Sequence, residues 1–191
     1  MVKPNIAFTG GQGSGKTTVA KYIIEKFGYD YFYINQTRLH ITDYFGGNLY
    51  NAREHNRVFQ NSLLSNKIEW EVTNKKFGFV TDRTTIDNLA YFMLYSNSED
   101  TTYPDYIDYY DKAMTHTASC YDYIFCFSPL YNTPYDSLSP PHTLDKVKVY
   151  YTIMGLLEQI KFKNNIYYIQ DLDRMQKVTK ILSSLGIKKE W

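Results

Sequence analysis

Residues 10–17 read GGQGSGKT, between a short apolar run and a helical one, and no other feature constrains the chain as tightly. The spacing is G-x-x-x-x-G-K-[ST]. Glycine lacks a Cβ and tolerates positive φ. A loop rich in it can turn backbone N–H groups inward and admit phosphate oxygens at close range. A helix opening at Lys16 adds partial positive charge to the same point. The pattern predicts a triphosphate cradle. Gly11, Gly13, Ser14 and Gly15 form its wall, and the Lys16 ammonium reaches the β- and γ-phosphates. The Thr17 hydroxyl holds Mg²⁺, and Thr18 supports the α-phosphate.

Elements alternate around this loop. Strands are predicted at residues 5–9, 31–34, 77–82, 123–127 and 166–169. Helices are predicted at 16–27, about 52–74, 86–94, 106–117, 144–162 and 174–185. Gly28 ends the first helix. On the second, Val58, Leu63, Leu64, Ile68 and Val72 fall on one broad apolar face. Such alternation implies α/β architecture: a parallel five-stranded sheet with helices on both faces, in one domain spanning 1–191. Residues 128–143, SPLYNTPYDSLSPPHT, carry four prolines and form a loop, the core of a lid at about 129–148. Ligands of such sheets sit at the carboxyl ends of the strands.

The next signal lies at one of those ends. In FVTDRTTIDNLAY, Asp82 closes the third strand and Arg83 follows it. A phosphate cradle needs a second oxygen anchor on a neighbouring strand. Asp82 can coordinate Mg²⁺ through water or accept a proton from an acceptor hydroxyl. Arg83 can hold the transferring phosphoryl group or the substrate. The plainer reading is a solvated ion pair at a strand end, but the position favours function. Asp87 reads as a helix-face residue or cap. Arg53 and Arg57, four apart, share a helix face, to clamp a substrate phosphate or to lie in solvent; both readings stay open. Tyr31, Tyr33 and Tyr44 can stack on a flat base, but strand alternation makes core packing the stronger reading for Tyr31 and Tyr33.

Three blocks carry a resemblance: GGQGSGKTT, DRTTIDNLAY, and YDYIFCFSP ahead of the Pro-rich loop and a long helix. In this order, over most of the chain, they resemble small P-loop kinases of the nicotinamide riboside kinase type. Phage-encoded relatives of those kinases, grouped with AAA-like ATPase domains, share the likeness. The Asp82-Arg83 step is also similar to the acid-Arg step after the third strand of deoxynucleoside kinases. The resemblance implies a P-loop kinase fold with Lys16, Asp82 and Arg83 catalytic, and Asp82 and Arg83 meeting the acceptor hydroxyl and the phosphates. It implies Thr17 and Asp82 on the metal and Arg38 toward the substrate, and the residue patterns add Arg53, Arg57 and Tyr33 as substrate candidates. The chain also departs from its relatives. Asn35 and Gln36 stand where a carboxylate occurs in relatives, and the lid keeps Asp136 without the following Gly and Arg. Lys146 and Lys148 are the nearest lid cations, and Lys clamps a phosphoryl group less well than Arg.

The expected activity is ATP- and Mg²⁺-dependent phosphoryl transfer to a nucleoside, nucleotide or related small molecule. The alternative is a kinase acting on a polynucleotide, at a terminal hydroxyl or a hydroxymethylated base. With 21 basic and 20 acidic residues, net charge is +1, which disfavours a wide basic surface for nucleic acid and leaves a local groove open. A switch NTPase is the third reading, from DYFG at 43–46 and NKIE at 66–69. The second lies inside a predicted helix, whereas a guanine reader follows a later strand. Cys120 and Cys126 read as small buried hydrophobes. His40, His55, His116 and His142 lack metal-ligand spacing, so Mg²⁺ is the one metal assigned. No apolar run has membrane-spanning length and the first residues lack a signal pattern, so the expectation is a cytoplasmic enzyme with no membrane partner. No sequence feature sets its oligomeric state.

Overall fold

A computed structural model describes residues 3–34, 56–96, 101–129, 143–161, 165–170 and 173–188. Its strands are β1 (Ile6–Gly10), β2 (Phe32–Tyr33), β3 (Val80–Asp82), β4 (Tyr123–Phe127) and β5 (Asn165–Ile169). Its α-helices are α1 (Lys16–Phe27), α2 (Asn56–Asn74), α3 (Thr85–Tyr95), α4 (Tyr103–Cys120), α5 (Thr143–Ile160) and α6 (Arg174–Ser184). The strands form one sheet in the order β2-β3-β1-β4-β5, every pair parallel. β1 is central. Its end, where the glycine-rich loop begins, lies between β3 and β4.

Period-two alternation divides the strand side chains between two cores. Ile6, Phe8, Val80, Phe125 and Phe127 pack with Val19, Ile23 and Phe27 of α1 and with Val178 and Leu182 of α6. Ala7, Ile124 and Cys126 point the other way, into a larger core with α3, α4 and α5. Phe8 is fully buried, its ring 5.6 Å from Phe125 and 5.7 Å from Phe127. Truncation of such a ring to alanine costs about 3–5 kcal/mol.

Local chemistry sets the helix ends. Thr84 and Asp87 form a capping box that starts α3, and Thr102 and Asp105 form another that starts α4. The second box explains why α4 begins three residues before the predicted start. The third strand is shorter than predicted. Lys75–Phe77 winds into a 3₁₀ turn, and Gly78 follows at φ 77° with its α-carbon against the Lys3 carbonyl. A Cβ there would stand 2.1 Å from that oxygen, so the chain cannot enter the strand before Phe79 with any other residue.

One expectation for α2 is corrected. Val58 and Val72 are 65% and 60% exposed, while Leu63, Leu64, Lys67 and Glu71 are buried. The helix is rotated from its apolar periodicity because it buries a charged pair, Lys67 Nζ lying 2.6 Å from Glu71 Oε1. Among the described residues, no helix is long and apolar enough to cross a membrane.

Candidate active site

The cradle begins where β1 stops. Gly10 takes φ 126°, with the Phe127 carbonyl so close that a Cβ would sit 2.2 Å from its oxygen. Gly13 and Gly15 follow at φ 71° and 83°. Gly15 is the N-cap of α1 and brings no side chain to it, so the first-turn N–H groups keep their donor capacity for a ligand. On the outer side, Gly11 packs against the Lys146 carbonyl of α5.

Lys16 is 5% exposed and folded back over this loop. Its Nζ donates to the carbonyls of Gly10 (3.0 Å) and Gly11 (2.7 Å) and to Ser14 Oγ (3.0 Å). Burial, and then the nearby Arg83 guanidinium, lower its pKa to about 8. Thr17 and Thr18 are exposed on the first turn of α1. Thr17 Oγ1 donates to Asp82 Oδ2, bridging α1 and β3. Asp82 Oδ1 is buried without a hydrogen-bond partner. A hydroxyl and a carboxylate with an oxygen to spare are hard donors, the type that Mg²⁺ takes, and the arrangement fits that ion. The uncapped start of α1 and the buried ammonium fit a triphosphate.

Arg83 takes φ 97°, the one positive φ outside glycine among the described residues. Its N–H donates to the Phe8 carbonyl at 2.8 Å, and its carbonyl accepts from Thr81 Oγ1 at 3.1 Å. The guanidinium lies 3.3 Å from Asp87 Oδ1 and 5.2 Å from the centre of the Tyr91 ring. Asp87 is fully buried. Besides capping α3 it accepts from Thr9 Oγ1 at 2.6 Å, which ties the end of β1 to the Asp82-Arg83 turn.

Beside the cradle, Tyr33, Leu63, Lys67, Asp82, Arg83 and Asn88 line a narrow pocket. Of the proposed substrate residues, Tyr33 belongs to it, half a packing residue and half a wall. Tyr33 is 5% exposed, its ring 5.2 Å from Trp70 and under the Lys67 ammonium at 4.4 Å. Arg57 lies instead at the α2–α4 junction, paired with Asp105 at 2.9 Å and 43% exposed. Arg38, Arg53, Tyr44, Asp136, His40, His55, His142 and the lid over 130–142 lie outside the described residues. The lid cation Lys148 stands 3.9 Å from Asp145 in the first turns of α5.

Sequence reasoning missed Lys67, Leu63, Asn88 and Arg174. A Lys67/Glu71 pair at i, i+4 inside an apolar pattern is the signal that could have found the first. Arg174 opens α6, buried at 5% exposure. It donates to the Ser14 carbonyl of the cradle and, at 2.8 Å, to the Ser128 carbonyl, with its guanidinium 5.1 Å from the Phe127 ring centre. It thus braces the loop from behind, from a position 160 residues away.

The AAA domain family matches residues 5–166 of this chain. No curated protein matches it significantly in sequence. Solved structures do resemble it. Deoxyadenosine kinase from M. mycoides with bound dCTP superposes with a TM-score of 0.68 at 16% identity, over 95% of this chain and 98% of that one. The NadR protein in complex with NR gives 0.74 at 14% identity, over 99% of this chain and 53% of that one. Thymidylate kinase from Candida albicans gives 0.68 at 13% identity, over 97% and 93%. At these identities the likeness is one of fold.

Proposed function

We propose, starting from a chain that belongs to the AAA domain family and has the fold of nucleoside and nucleotide kinases, that this protein transfers the γ-phosphoryl group of ATP to a hydroxyl of a nucleoside, nucleotide or related small molecule, with Mg²⁺. The observation that carries the reading is the meeting of Thr17 and Asp82 at the mouth of the glycine loop, with a buried carboxylate oxygen to spare. Residues 1–191 act as one kinase domain in the cytoplasm, closed by a lid at about 129–148.

ATP supplies the phosphoryl group when bound, and Mg²⁺ neutralises charge on its phosphates. The chain's own residues do the rest. N–H groups from Gly11 to Lys16 hold the phosphates in place of water. Lys16 exchanges loop carbonyls for phosphate oxygens, a trade of neutral acceptors for charged ones that strengthens each bond. Thr17 and Asp82 hold the metal. Asp82, on the wall of the crevice beside the cradle, is also the base assigned to take the proton of an acceptor hydroxyl. Arg83 lies on the same wall, where negative charge develops. Tyr33 is assigned to the acceptor, and Arg38 and Arg53, which lie in the sequence between β2 and α2, are assigned to it as well. The NadR and deoxyadenosine kinase likenesses support a nucleoside-like acceptor.

The test is ATP consumption with Mg²⁺ across a panel of nucleosides, nucleoside monophosphates, nicotinamide riboside and oligonucleotides, with product masses measured. One singly phosphorylated small molecule is the expected product. Phosphorylation of oligonucleotides alone would move the assignment to a polynucleotide kinase. No phosphorylated product from any acceptor would end the kinase reading.

A further inference from the structure

Lys67 is the charged wall of the pocket that the glycine motif and the Asp82-Arg83 step leave without a part. It is 2% exposed. Its Nζ donates to Thr81 Oγ1 at 2.7 Å, lies 2.6 Å from Glu71 Oε1, and faces the Tyr33 ring at 4.4 Å. Three directions suit the three N–H bonds of an ammonium. Glu71 is fully buried, and its other oxygen is bonded by His116 Nε2 and by the Tyr121 hydroxyl, both at 2.7 Å. Glu71, His116 and Cys120 together offer three metal-ligand atoms within 4.8 Å. The Lys67 ammonium already neutralises Glu71, however, and it would repel a cation there. The cluster is an ionic lock that fixes Lys67.

The direction of the Thr81 hydroxyl follows. Lysine can only donate, so the Thr81 oxygen accepts from Lys67, and its hydrogen is released to the Arg83 carbonyl at 3.1 Å. Arg83 is therefore held at both ends, its N–H by Phe8 of β1 and its carbonyl by Thr81. A non-glycine residue at φ 97° needs such restraint, because that backbone is unfavourable for any residue with a Cβ. The turn it makes ends β3 with Asp82 against Thr17 and sets Arg83 on the pocket wall.

We infer that Lys67 and Thr81 are positioning residues for phosphoryl transfer: the buried line from His116 and Glu71 through Lys67 to Thr81 holds the Arg83 peptide, and so the metal-facing carboxylate of Asp82. The inference rests on the kinase reading. It makes α2 a structural partner of the metal site, although no α2 residue touches the glycine loop through any bond described above.

Thr81→Val and Thr81→Ser separate this role from packing. Valine keeps the volume and loses the hydroxyl. Serine keeps the hydroxyl and loses a buried methyl. A non-hydrolysable ATP analogue is titrated into each protein with and without Mg²⁺, by calorimetry, beside thermal melts. The wild type and Thr81→Ser should bind more tightly when Mg²⁺ is present, and Thr81→Val should lose about tenfold of that gain. Lys67→Met should behave as Thr81→Val. A Thr81→Val protein with the full wild-type Mg²⁺ gain overturns the positioning role and leaves the kinase reading standing. So does an equal loss in both variants that follows their melting temperatures. A wild type whose affinity ignores Mg²⁺ defeats the kinase reading and this inference with it.

Discussion

The hydroxyl of Thr17 is bonded to one oxygen of Asp82 while the other oxygen of that carboxylate is buried and unpartnered. Thus α1 and β3 are joined at the proposed metal site, and a buried polar atom there has no hydrogen-bond partner. Leaving such an atom unsatisfied costs about 1–3 kcal/mol. Such atoms are few in folded proteins, and a bound ion or water is one way they are satisfied.

Asp82→Asn should separate the two roles of this side chain. Its amide oxygen can still accept from Thr17, so stability should change by less than about 1 kcal/mol. The negative charge is gone, and turnover should fall about 100-fold or more. Urea unfolding and ATP turnover on the same preparation check both halves. Near-normal turnover would remove Asp82 from the metal and base roles.

Lys16 gives a pH signature. Its folded pKa, about 8, lies below its ordinary 10.5, so the unfolded chain holds the proton more tightly. The sign follows: stability gained from this group is absent below pH 8 and grows as pH rises from 8 toward 10.5. At roughly 1.4 kcal/mol per pH unit over about 2.5 units, the full effect is about 3.5 kcal/mol. The difference between wild type and Lys16→Met, followed by urea unfolding from pH 7 to 9.5, should therefore shift in favour of the wild type. Triphosphate charge restores the ordinary affinity for the proton. Binding of the ATP analogue at pH 8.5 should then take up a proton, visible as a buffer-dependent heat, and Lys16→Met should abolish it.

Two cradle glycines should fail differently. Gly10→Ala places a Cβ 2.2 Å from the Phe127 oxygen, which belongs to the sheet and cannot yield cheaply. A loss of about 3 kcal/mol or more is expected, with β1–β4 pairing disturbed. Gly15→Ala meets no atom within 4 Å, so only the positive φ opposes it, at about 1–2 kcal/mol. Its nucleotide affinity should fall far more than its stability. Parallel thermal melts and analogue binding decide this; equal melting temperatures for the two variants would contradict the geometry.

The parts of this site that sequence makes legible are those written in consecutive residues. The glycine loop needs its glycines, its lysine and its helix start at fixed spacing, and Asp82 stands at the end of an apolar strand. Asp87 as a cap is local as well. What escapes is tertiary. Val58 and Val72 look like core by periodicity, yet Lys67 and Glu71 take the inner face because His116, Tyr121 and Thr81 complete their bonding from other elements. Arg174 has no neighbour in sequence that hints at Ser14. The left-handed backbone of Arg83 is imposed by Phe8 and Thr81, and nothing in the pair Asp-Arg encodes it.

Glu71→Gln tests the buried lock itself. Burial alone would push the Glu71 carboxyl up, but the Lys67 ammonium and His116 hold it below its ordinary 4.5. A depressed carboxyl pKa stabilises the fold above 4.5, and this contribution fades as pH falls through the folded value. Glutamine removes the charge and leaves the Lys67 ammonium buried without a counter-ion. At pH 7 the expected loss is about 3–5 kcal/mol, because breaking one half of a buried pair leaves the other uncompensated. The gap between wild type and variant should narrow as pH drops from 4.5 toward the folded value, since the unfolded wild-type chain then takes up a proton that folded Glu71 still refuses. Lys67→Met together with Glu71→Gln should recover part of the loss, since no lone charge remains. Urea unfolding of the three variants at pH 7 and pH 4 reads these outcomes. A Glu71→Gln protein as stable as wild type at pH 7 would mean that Lys67 reaches water, and that the line from Glu71 to Arg83 is not held as described.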